Sequence, residues 1–344
     1  MAPDWGSSLR GDAITYELLD PNMLSASRGW LEGVVNSGSS ITYSTGLDCL
    51  YTARIELAGS DYDGTSAVRV WHEVPAWGYK EAVATLYPTS EDLRYEHGAW
   101  AGTVELASPV VCLHEDLWAE AGYAVAAGAS AIEAIEDVMG RAGCVSSVSP
   151  NVRDALLPEP SVWTMGESLL DTVRELQSMC GARIGCDGMG AVATVPDIGG
   201  TPAFTIGPDM VVGAVTVSEA VSAAPGRVAL RFSDGDGLEL AAHADAPASS
   251  RASRAVRGRR VTVVEDVDAL DPQTPERLQQ AANERARELR AGSTVEFRGL
   301  YLPVREGEAV ALDLPCAKGA YTVKTKETSL APGMPCQWTL EEVV

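Results

Sequence analysis

Histidine followed by glutamate occurs twice in this sequence, and this pairing could supply a metal ligand or an acid–base pair. His72 and His114 are each followed by a glutamate, and His97 could add a third imidazole. Neither pair has the HExxH spacing that places two imidazoles on one face of a helix. The histidines lie in strand patterns or loops, so we predict no metal site and no catalytic role for them or for His243.

Two aspartate-rich turns and one serine pair could also support chemistry. Ser39 and Ser40 follow a glycine, but the G-x-S-x-G spacing of a nucleophile elbow is absent. Residues 61–64 and 234–237 resemble fragments of calcium loops, yet neither continues to the glutamate that completes an EF-hand. We predict that all three are turns, the two aspartate segments being hairpin turns.

A basic segment stands out near the middle of the second half of the chain. Residues 246–260 contain five arginines: Arg251, Arg254, Arg257, Arg259 and Arg260. They could bind phosphate or an acidic partner, but the segment is isolated and polar, which is typical of a solvated loop. No GxxxxGK[ST] loop and no strand-placed GxGxxG motif is present, so a nucleotide site is not predicted.

Composition limits the function classes further. The 344 residues are 46% hydrophobic and 22% charged, as in ordinary folded proteins, with room for two or three domains. The formal net charge of −22 argues against a general binder of nucleic acid or anionic membranes, because both require surplus lysine and arginine. Solubility is the simplest explanation for the charge.

Cysteine usage and the chain ends indicate a protein made in a reducing cytosol. The seven cysteines show no CxxC pair, and their odd, dispersed set does not resemble a disulfide framework. We expect Cys112, Cys144 and Cys180 to be small core residues. No secretory signal is visible, and the alanine-rich segment 121–131 is too short to span a bilayer.

Short strands and a few helices must position these residues. Residues 13–115 alternate in short runs separated by Gly, Ser and Asp turns, which predicts a barrel or sandwich whose last strand is Val110–His114. Ser130 with Glu133 predicts a capped helix. Strands are expected again from residue 204, with a proline-initiated helix over 274–291 and further strands to the end.

The stretch from Trp163 to Asp197 is the most informative unit. Thr164 with Glu167 predicts a capping box, and apolar residues at helical spacing follow until Gly181. Two apolar-bearing runs then flank Asp187-Gly188, which predicts a hairpin with that pair at its tip.

The order of these elements resembles the baseplate-hub, or tail-tip hub, proteins of tailed bacteriophages, including the N-terminal hub part of tail-associated proteins. The Trp163 unit is similar to the middle of those proteins. The run from Trp30 to Leu57 is similar to their opening barrel, and the step Pro-x-x-x-Gly-Glu-x-Val at 303–310 to their closing part. The resemblance covers most of the chain in order.

The resemblance implies a fold that is α+β and mostly β, with tail-tube-like β-barrel domains and small α+β domains. It implies an N-terminal tube-like barrel at 1–115 and an α+β hub domain at 116–205. The second hub half at 206–344 would hold the 274–291 helix and a C-terminal tube-like barrel, and the fold would be complete at about Val344.

The function implied by the resemblance is architectural and not enzymatic. A homotrimer in the virion tail tip, assembled in the host cytoplasm, would join the tail tube to the tip and line the DNA channel without binding DNA specifically. Its partners would be the tail tube or distal tail protein, the tape measure protein, and a tip fibre or spike protein. No cofactor, metal or membrane-spanning segment is expected.

Two alternatives remain from the sequence. The eight tryptophans could form a carbohydrate-binding groove for receptor recognition, which stacked aromatic side chains in one groove would support. A hydrolase with an unrecognised site would instead show a pocket that gathers histidine with carboxylates.

Overall fold

The protein is described from a computed structural model, which covers residues 11–62, 64–119, 122–197, 201–219, 225–233, 239–248, 250, 252–267, 274–288 and 293–343. The helices in this part are α1 (Val111–Glu115), α2 (Ala131–Arg141), α3 (Leu169–Met179), α4 (Arg254–Arg257) and α5 (Pro275–Glu288). The strands are β1 (Ala13–Asp20), β2 (Met23–Trp30), β3 (Ser40–Ser44), β4 (Tyr51–Ser60), β5 (Ala67–Val74), β6 (Tyr79–Glu96), β7 (Ala99–Ala107), β8 (Tyr123–Val125), β9 (Ser146–Val148), β10 (Ser161–Trp163), β11 (Ala182–Cys186), β12 (Val192–Pro196), β13 (Thr205–Ile206), β14 (Val211–Glu219), β15 (Arg227–Ser233), β16 (Glu239–Asp245), β17 (Thr262–Val267), β18 (Ser293–Gly299), β19 (Ala309–Leu314), β20 (Ala317–Ser329) and β21 (Cys336–Glu342).

The contacts divide the chain into two compact units. The first comprises Met1–Val215 and Glu296–Leu340, and the second comprises Thr216–Val295 and Glu341–Val344. The predicted three-part division at residues 115 and 205 stays a prediction. The predicted class is confirmed, since the protein is mostly β with a few small helices.

One large sheet dominates the first unit. Its strands lie in the order β14-β18-β21-β20-β3-β4-β7-β6-β5-β1-β2, and β19 adds to β20 and pairs with β13. Burial alternates along β3 and most of β4, as expected for strands with one face in the core. Trp338, Tyr43, Tyr51 and Phe297 are among its largest fully buried side chains.

The predicted tube-like barrels are not closed. In the described residues the strand pairings form a path with two ends, β14 and β2. An N-terminal barrel made of residues 1–115 alone would require β3 to pair within that segment on both sides. β3 instead pairs with β4 on one side and with β20, near the C-terminus, on the other.

Two segments of the predicted N-terminal sheet differ from the structure. The strand expected at Val110–His114 is the one-turn helix α1, because Val111, Cys112 and Leu113 bond back to the turn formed by Ser108, Pro109 and Val110. The alternating pattern at residues 30–35 predicts a strand there, but the strand in the structure, β2, covers the preceding residues and ends at Trp30. Only two residues, Pro21 and Asn22, separate β1 from β2.

A small α+β layer follows in the same unit. Helix α2 is capped by Ser130, whose hydroxyl accepts from the Glu133 amide at 3.0 Å, as predicted. Helix α3 buries its predicted apolar face, which includes Leu170, Val173 and Leu176. The same layer contains the antiparallel hairpin β11–β12, and β9 pairs with β12 in parallel.

The predicted start of α3 was wrong by one turn. Ser168, not Thr164, is the N-cap, and its hydroxyl accepts from the amides of Leu170 and Asp171 at 3.1 and 3.4 Å. The Glu167 carboxylate does accept from the Thr164 amide, but this bond closes a turn that precedes the helix. Thr164 and Glu167 therefore form only the carboxylate half of the predicted box, and Gly166 lies in the turn between them at φ +92°.

The second unit is a helix packed on a three-stranded sheet. Its strand order is β16-β15-β17, with β15 antiparallel to β16 and parallel to β17. Val228, Leu230 and Phe232 alternate along β15 and pack with Leu278 and Ala282 of α5. The proline start of α5 is confirmed, whereas its predicted end and the turn at 234–237 lie outside the described residues. No described helix is long and apolar enough to cross a membrane.

Candidate functional site

The tip of the β11–β12 hairpin is held against the large sheet by buried polar side chains. The hairpin turn is a five-residue loop, 187–191, and the Asp187-Gly188 pair predicted at its tip forms the first two residues of that loop. Its left-handed residue is Gly190, at φ +92°. Four side chains from elsewhere in the first unit donate to backbone carbonyls of the tip: Tyr51 to Asp187 (3.3 Å), Thr85 to Gly188 (2.7 Å), Arg69 to Met189 (2.9 Å) and Arg305 to Cys186 (3.0 Å).

The approach of this loop to the sheet leaves no room for a side chain at one position. A Cβ added at Gly188 would lie 1.7 Å from the carbonyl oxygen of Ala82 on β6. Gly188 has an ordinary φ, so glycine is required here for close approach of two backbones rather than for its dihedral freedom. Gly188 therefore allows the loop to dock against β6, while Gly190 supplies the left-handed residue of the turn.

Two cavities flank the hairpin and share one wall. The larger, about 470 Å³, is lined by both hairpin strands and by the loop 305–309. The smaller, about 250 Å³, lies between the start of β11 and helix α3. Arg183 and Glu306 line both.

Three buried polar atoms around the smaller cavity have no hydrogen-bond partner within the protein. They are Glu306 Oε2, Gln177 Oε1 and Arg183 Nε. Buried polar groups are almost always satisfied, and water commonly fills the role where the protein does not. A cavity of this size has room for several waters, which could pair with the acceptors and the donor on its walls.

Glu306 is a buried acid in this region whose pKa lies near neutral pH. Its carboxylate is 2% exposed, and burial raises its pKa to about 7. The nearby guanidinium of Arg305 and ammonium of Lys326 oppose the shift without cancelling it. A proton could therefore be taken up here, but neither cavity has a histidine or a serine on its described lining to act with Glu306.

A buried lysine, Lys326, lies near Arg305 and Glu306. The Nζ of Lys326 sits 4.4 Å from the ring centre of Tyr43, 5.0 Å from Tyr301 and 5.6 Å from Trp338. It also donates to the backbone carbonyls of Leu302, at 3.3 Å, and Val304. Burial lowers the pKa of its ammonium group to about 8. Aromatic faces and carbonyl oxygens thus replace water around this cation.

The histidines are not gathered with carboxylates in any described cavity. His72 is fully buried on β5, and its Nε2 lies 2.6 Å from Asp12 Oδ1, under the rings of Tyr79 and Tyr301. This pair is sealed from solvent. His97 and His114 are exposed, the first in the turn between β6 and β7 and the second on α1.

The metal-like and serine motifs behave as structural features where they are described. No group of three or more His, Cys, Asp or Glu side chains suited to a metal occurs among the described residues. Ser39 is buried in a turn, where its hydroxyl donates to Val35 and accepts from the Glu56 amide. Of the two calcium-like segments, 234–237 and Asp63 lie outside the described residues.

The arginine segment is partly helical and not a free loop. Ser253 caps α4, and Gly258 ends it at φ +71°. Arg260 lies 3.2 Å from Asp245, which already holds Arg227 through two bonds of 2.8 and 3.0 Å. Arg251 is outside the described residues. Acidic neighbours therefore balance part of the positive charge that the sequence concentrates here.

The tryptophans are dispersed. Trp338 is in the core of the large sheet, while Trp118 and Trp163 enclose Tyr123 in the α+β layer. Trp30 is exposed beside Lys80, and the ring of Trp100 packs at a tilt against Tyr95 in the β6–β7 hairpin. The tryptophans in the described part of the chain therefore do not form the single aromatic groove that a carbohydrate-binding role would require.

Sequence reasoning missed the polar groups that hold the hairpin. Arg69 lies in the apolar run Ala67–Val70, so a charged residue inside that strand was the available signal. Arg305 and Glu306 lie within the Pro-x-x-x-Gly-Glu-x-Val step, whose role as a wall of two cavities depends on contacts distant in sequence.

Solved structures of phage tail proteins share this architecture along nearly its whole length. The tail protein of Neisseria meningitidis aligns with a TM-score of 0.63 at 11% identity, covering 96% of this chain and 97% of that one. A 43-kDa tail protein from a Shewanella oneidensis prophage gives the same score and identity, covering 96% and 98%. A prophage tail protein of Listeria monocytogenes gives 0.57 at 10% identity, covering 96% and 94%. The chain has the fold of phage tail proteins.

This tail-protein fold confirms the resemblance seen in the order of the sequence elements. Identities of 10–11% establish the fold alone. No family model and no curated protein matches the sequence. The role of the residues around the hairpin tip is therefore inferred from their geometry alone. Their side chains donate hydrogen bonds that fix the loop 187–191, and the described linings of the two cavities hold no histidine or serine beside Glu306.

Proposed function

We propose that this chain is a structural component of a tailed-phage particle, the hub of the tail tip or baseplate. The observation that carries the proposal is the alignment with phage tail proteins over 96% of this chain and nearly all of theirs. In this role the chain forms a homotrimer that joins the tail tube to the tip and surrounds the DNA channel. It is assembled in the host cytoplasm and resides in the virion.

The ends of the large sheet support an assembly of several copies. β2 and β14 end the path of described strands, and both carry exposed apolar side chains. Met23 and Trp30 on β2 are 59% and 53% exposed, and Val212 on β14 is 54% exposed. Unpaired edges with apolar side chains favour association, so contacts in the particle would cover them.

The proposed neighbours follow from the place of a hub in a tail. The tail tube or distal tail protein would contact one face and a tip fibre or spike protein the other, with the tape measure protein near the channel. DNA would pass through the lumen without specific binding. The three-segment division at residues 115 and 205 would then describe parts with separate contacts.

The proposed role is not enzymatic. His72 is sealed in the core, and the described cavities gather no histidine with carboxylates. A hydrolase would need such a pocket open to substrate. Carbohydrate recognition, the other alternative, would need the aromatic groove that the dispersed tryptophans do not form.

Light scattering on the purified protein tests the proposal directly. We expect a mass three times that of the 36.2-kDa chain, alone or once neighbouring tail proteins are added. Met23→Lys should weaken the trimer by placing charge on the β2 edge. Met165→Lys is the matched control, because Met165 is 63% exposed and lies outside the large sheet. A protein that stays monomeric at high concentration and occupies a six-fold ring in a particle map would refute the hub role.

A further inference from the structure

Cys112 and Cys144 lie together although they are distant in the sequence. Cys112 is on α1, and Cys144 follows α2. Both approach the same carbonyl oxygen, that of Pro109: the Cys112 amide at 3.1 Å and the Cys144 thiol at 3.8 Å. The two side chains are also close enough to shift each other's pKa.

These thiols are accessible, which the sequence did not predict. Both are partly exposed rather than core residues. They line one side of a cavity of about 220 Å³, whose other walls include Pro21, Tyr87 and Gly190. A small reagent entering this cavity would therefore reach the lining that both cysteines form.

We propose that Cys112 and Cys144 form an intramolecular disulfide when the folded protein meets a small disulfide oxidant such as oxidised glutathione. The Cys112 thiolate attacks one glutathione sulfur, which forms a mixed disulfide and releases one glutathione thiolate. Cys144 gives its proton to solvent and attacks the Cys112 sulfur, which releases the second glutathione. One disulfide and two thiols become one disulfide and two thiols, and two electrons pass to glutathione.

The environment assigns the two steps to particular residues. The Cys144 side chain lowers the pKa of the Cys112 thiol, and the Cys112 side chain together with burial raises the pKa of Cys144. The thiolate is the attacking species, so Cys112 is the first nucleophile and Cys144 the resolving thiol.

The bond would tie α1 to the end of α2 and close the chain between residues 112 and 144. Closing a loop of this size restricts the unfolded chain, so oxidised protein should unfold at a higher temperature, by about 5 °C. In the proposed tail-tip role, reduced chains would assemble in the cytosol and lock outside the cell. That timing depends on the proposed function, whereas the disulfide does not.

Mass spectrometry with thiol alkylation tests the proposal. Full-length protein is equilibrated with mixtures of oxidised and reduced glutathione, alkylated and mapped by peptide. We expect the wild type to lose two alkylatable thiols and to yield a peptide linked through Cys112 and Cys144. Cys180→Ser and Cys316→Ser are controls on partly and fully exposed cysteines and should behave as the wild type.

The single variants separate the two steps. Cys144→Ser should stop at one glutathione on Cys112, and Cys112→Ser should form neither that adduct nor the link. The rise in unfolding temperature on oxidation should disappear in both variants. Full alkylation of both wild-type cysteines under oxidising conditions, a link to a different cysteine, or a link between two chains would overturn the proposal. A monomer that still forms the bond would refute only the hub role.

Discussion

At the scale of single residues, two buried ionisable groups near the hairpin, Lys326 and Glu306, have pKa values shifted in opposite directions. Burial lowers the pKa of Lys326 to about 8 and raises that of Glu306 to about 7. In each case loss of water outweighs the neighbouring groups that favour the charged form. Both groups therefore link stability to pH, and the directions differ.

Lys326→Met should change the pH dependence of unfolding. The pKa of Lys326 is depressed in the folded state, so the unfolded chain binds more protons between pH 8 and about pH 10.5. Wild-type stability relative to the variant should rise across that window, by roughly 1–3 kcal/mol. Below pH 8 the variant should still lose stability, because the carbonyls of Leu302 and Val304 lose their donor. Denaturant unfolding at pH 7.5 and 9.5 measures both, and parallel profiles would contradict the assignment.

Glu306→Gln should act in the opposite sense. Its folded pKa is raised, so the folded protein holds a proton that the unfolded chain releases between about pH 4.5 and pH 7. That contribution to stability is present in acid and lost as the pH rises through 7. The glutamine variant should therefore gain on the wild type by roughly 1–3 kcal/mol between pH 5.5 and pH 8. Denaturant unfolding of both proteins at pH 5.5 and pH 8 measures this gain, and a difference that stays the same at the two pH values would contradict the raised pKa of Glu306.

At the scale of elements, the start of α3 can be tested with two hydroxyl residues four positions apart. Ser168→Ala removes the oxygen that accepts from Leu170 and Asp171, and should cost about 1 kcal/mol. Thr164→Ala should have little effect, because the capping half of the predicted box is not formed at that residue. Comparable losses in the two variants, measured by thermal or denaturant unfolding, would return the cap to Thr164.

Sequence period predicted most helices and the hairpin because each depends on neighbouring residues. Ser130, Pro275 and the apolar face of α3 are examples. The two-residue periodicity of a strand gave a wrong burial pattern where one strand pairs with two different neighbours along its length. In β20 the buried residues are Tyr321 and Val323, then Lys326 and Thr328, so the inward face changes parity as the strand passes from β19 to β3. Alternation from Tyr321 would have placed Lys326 in solvent.

The candidate site was less predictable than the fold. The sequence drew attention to histidines, aspartate turns and an arginine segment, which are noticeable by composition. Arg69, Thr85 and Arg305 act through single bonds to a loop more than one hundred residues away in sequence, and no local pattern encodes such a contact. The Asp-Gly pair was noticed, but its docking against Ala82 depends on the same distant approach.

At the scale of the whole molecule, the net charge of −22 predicts weak interaction with DNA. DNA carries one negative charge per ~1.7 Å of axis, so a basic wall would retain it and an acidic wall would repel it weakly. We expect no retention of duplex DNA in filter binding even at low salt. In a trimer we expect Asp and Glu to be enriched on lumen-facing loops, with the arginines of 251–260 facing outward or towards a neighbour. A neutral or basic inner wall in a trimer map would contradict this.

The pairing of β3 with β20 has a consequence for synthesis on the ribosome. Ser40–Ser44 is made well before its partner on one side, Thr325–Ser329. Until residues 325–329 have been made, one edge of β3 therefore lacks its native neighbour, and contacts this distant in sequence form slowly. Nascent chains that stop before residue 325 should expose that edge and aggregate or recruit chaperones.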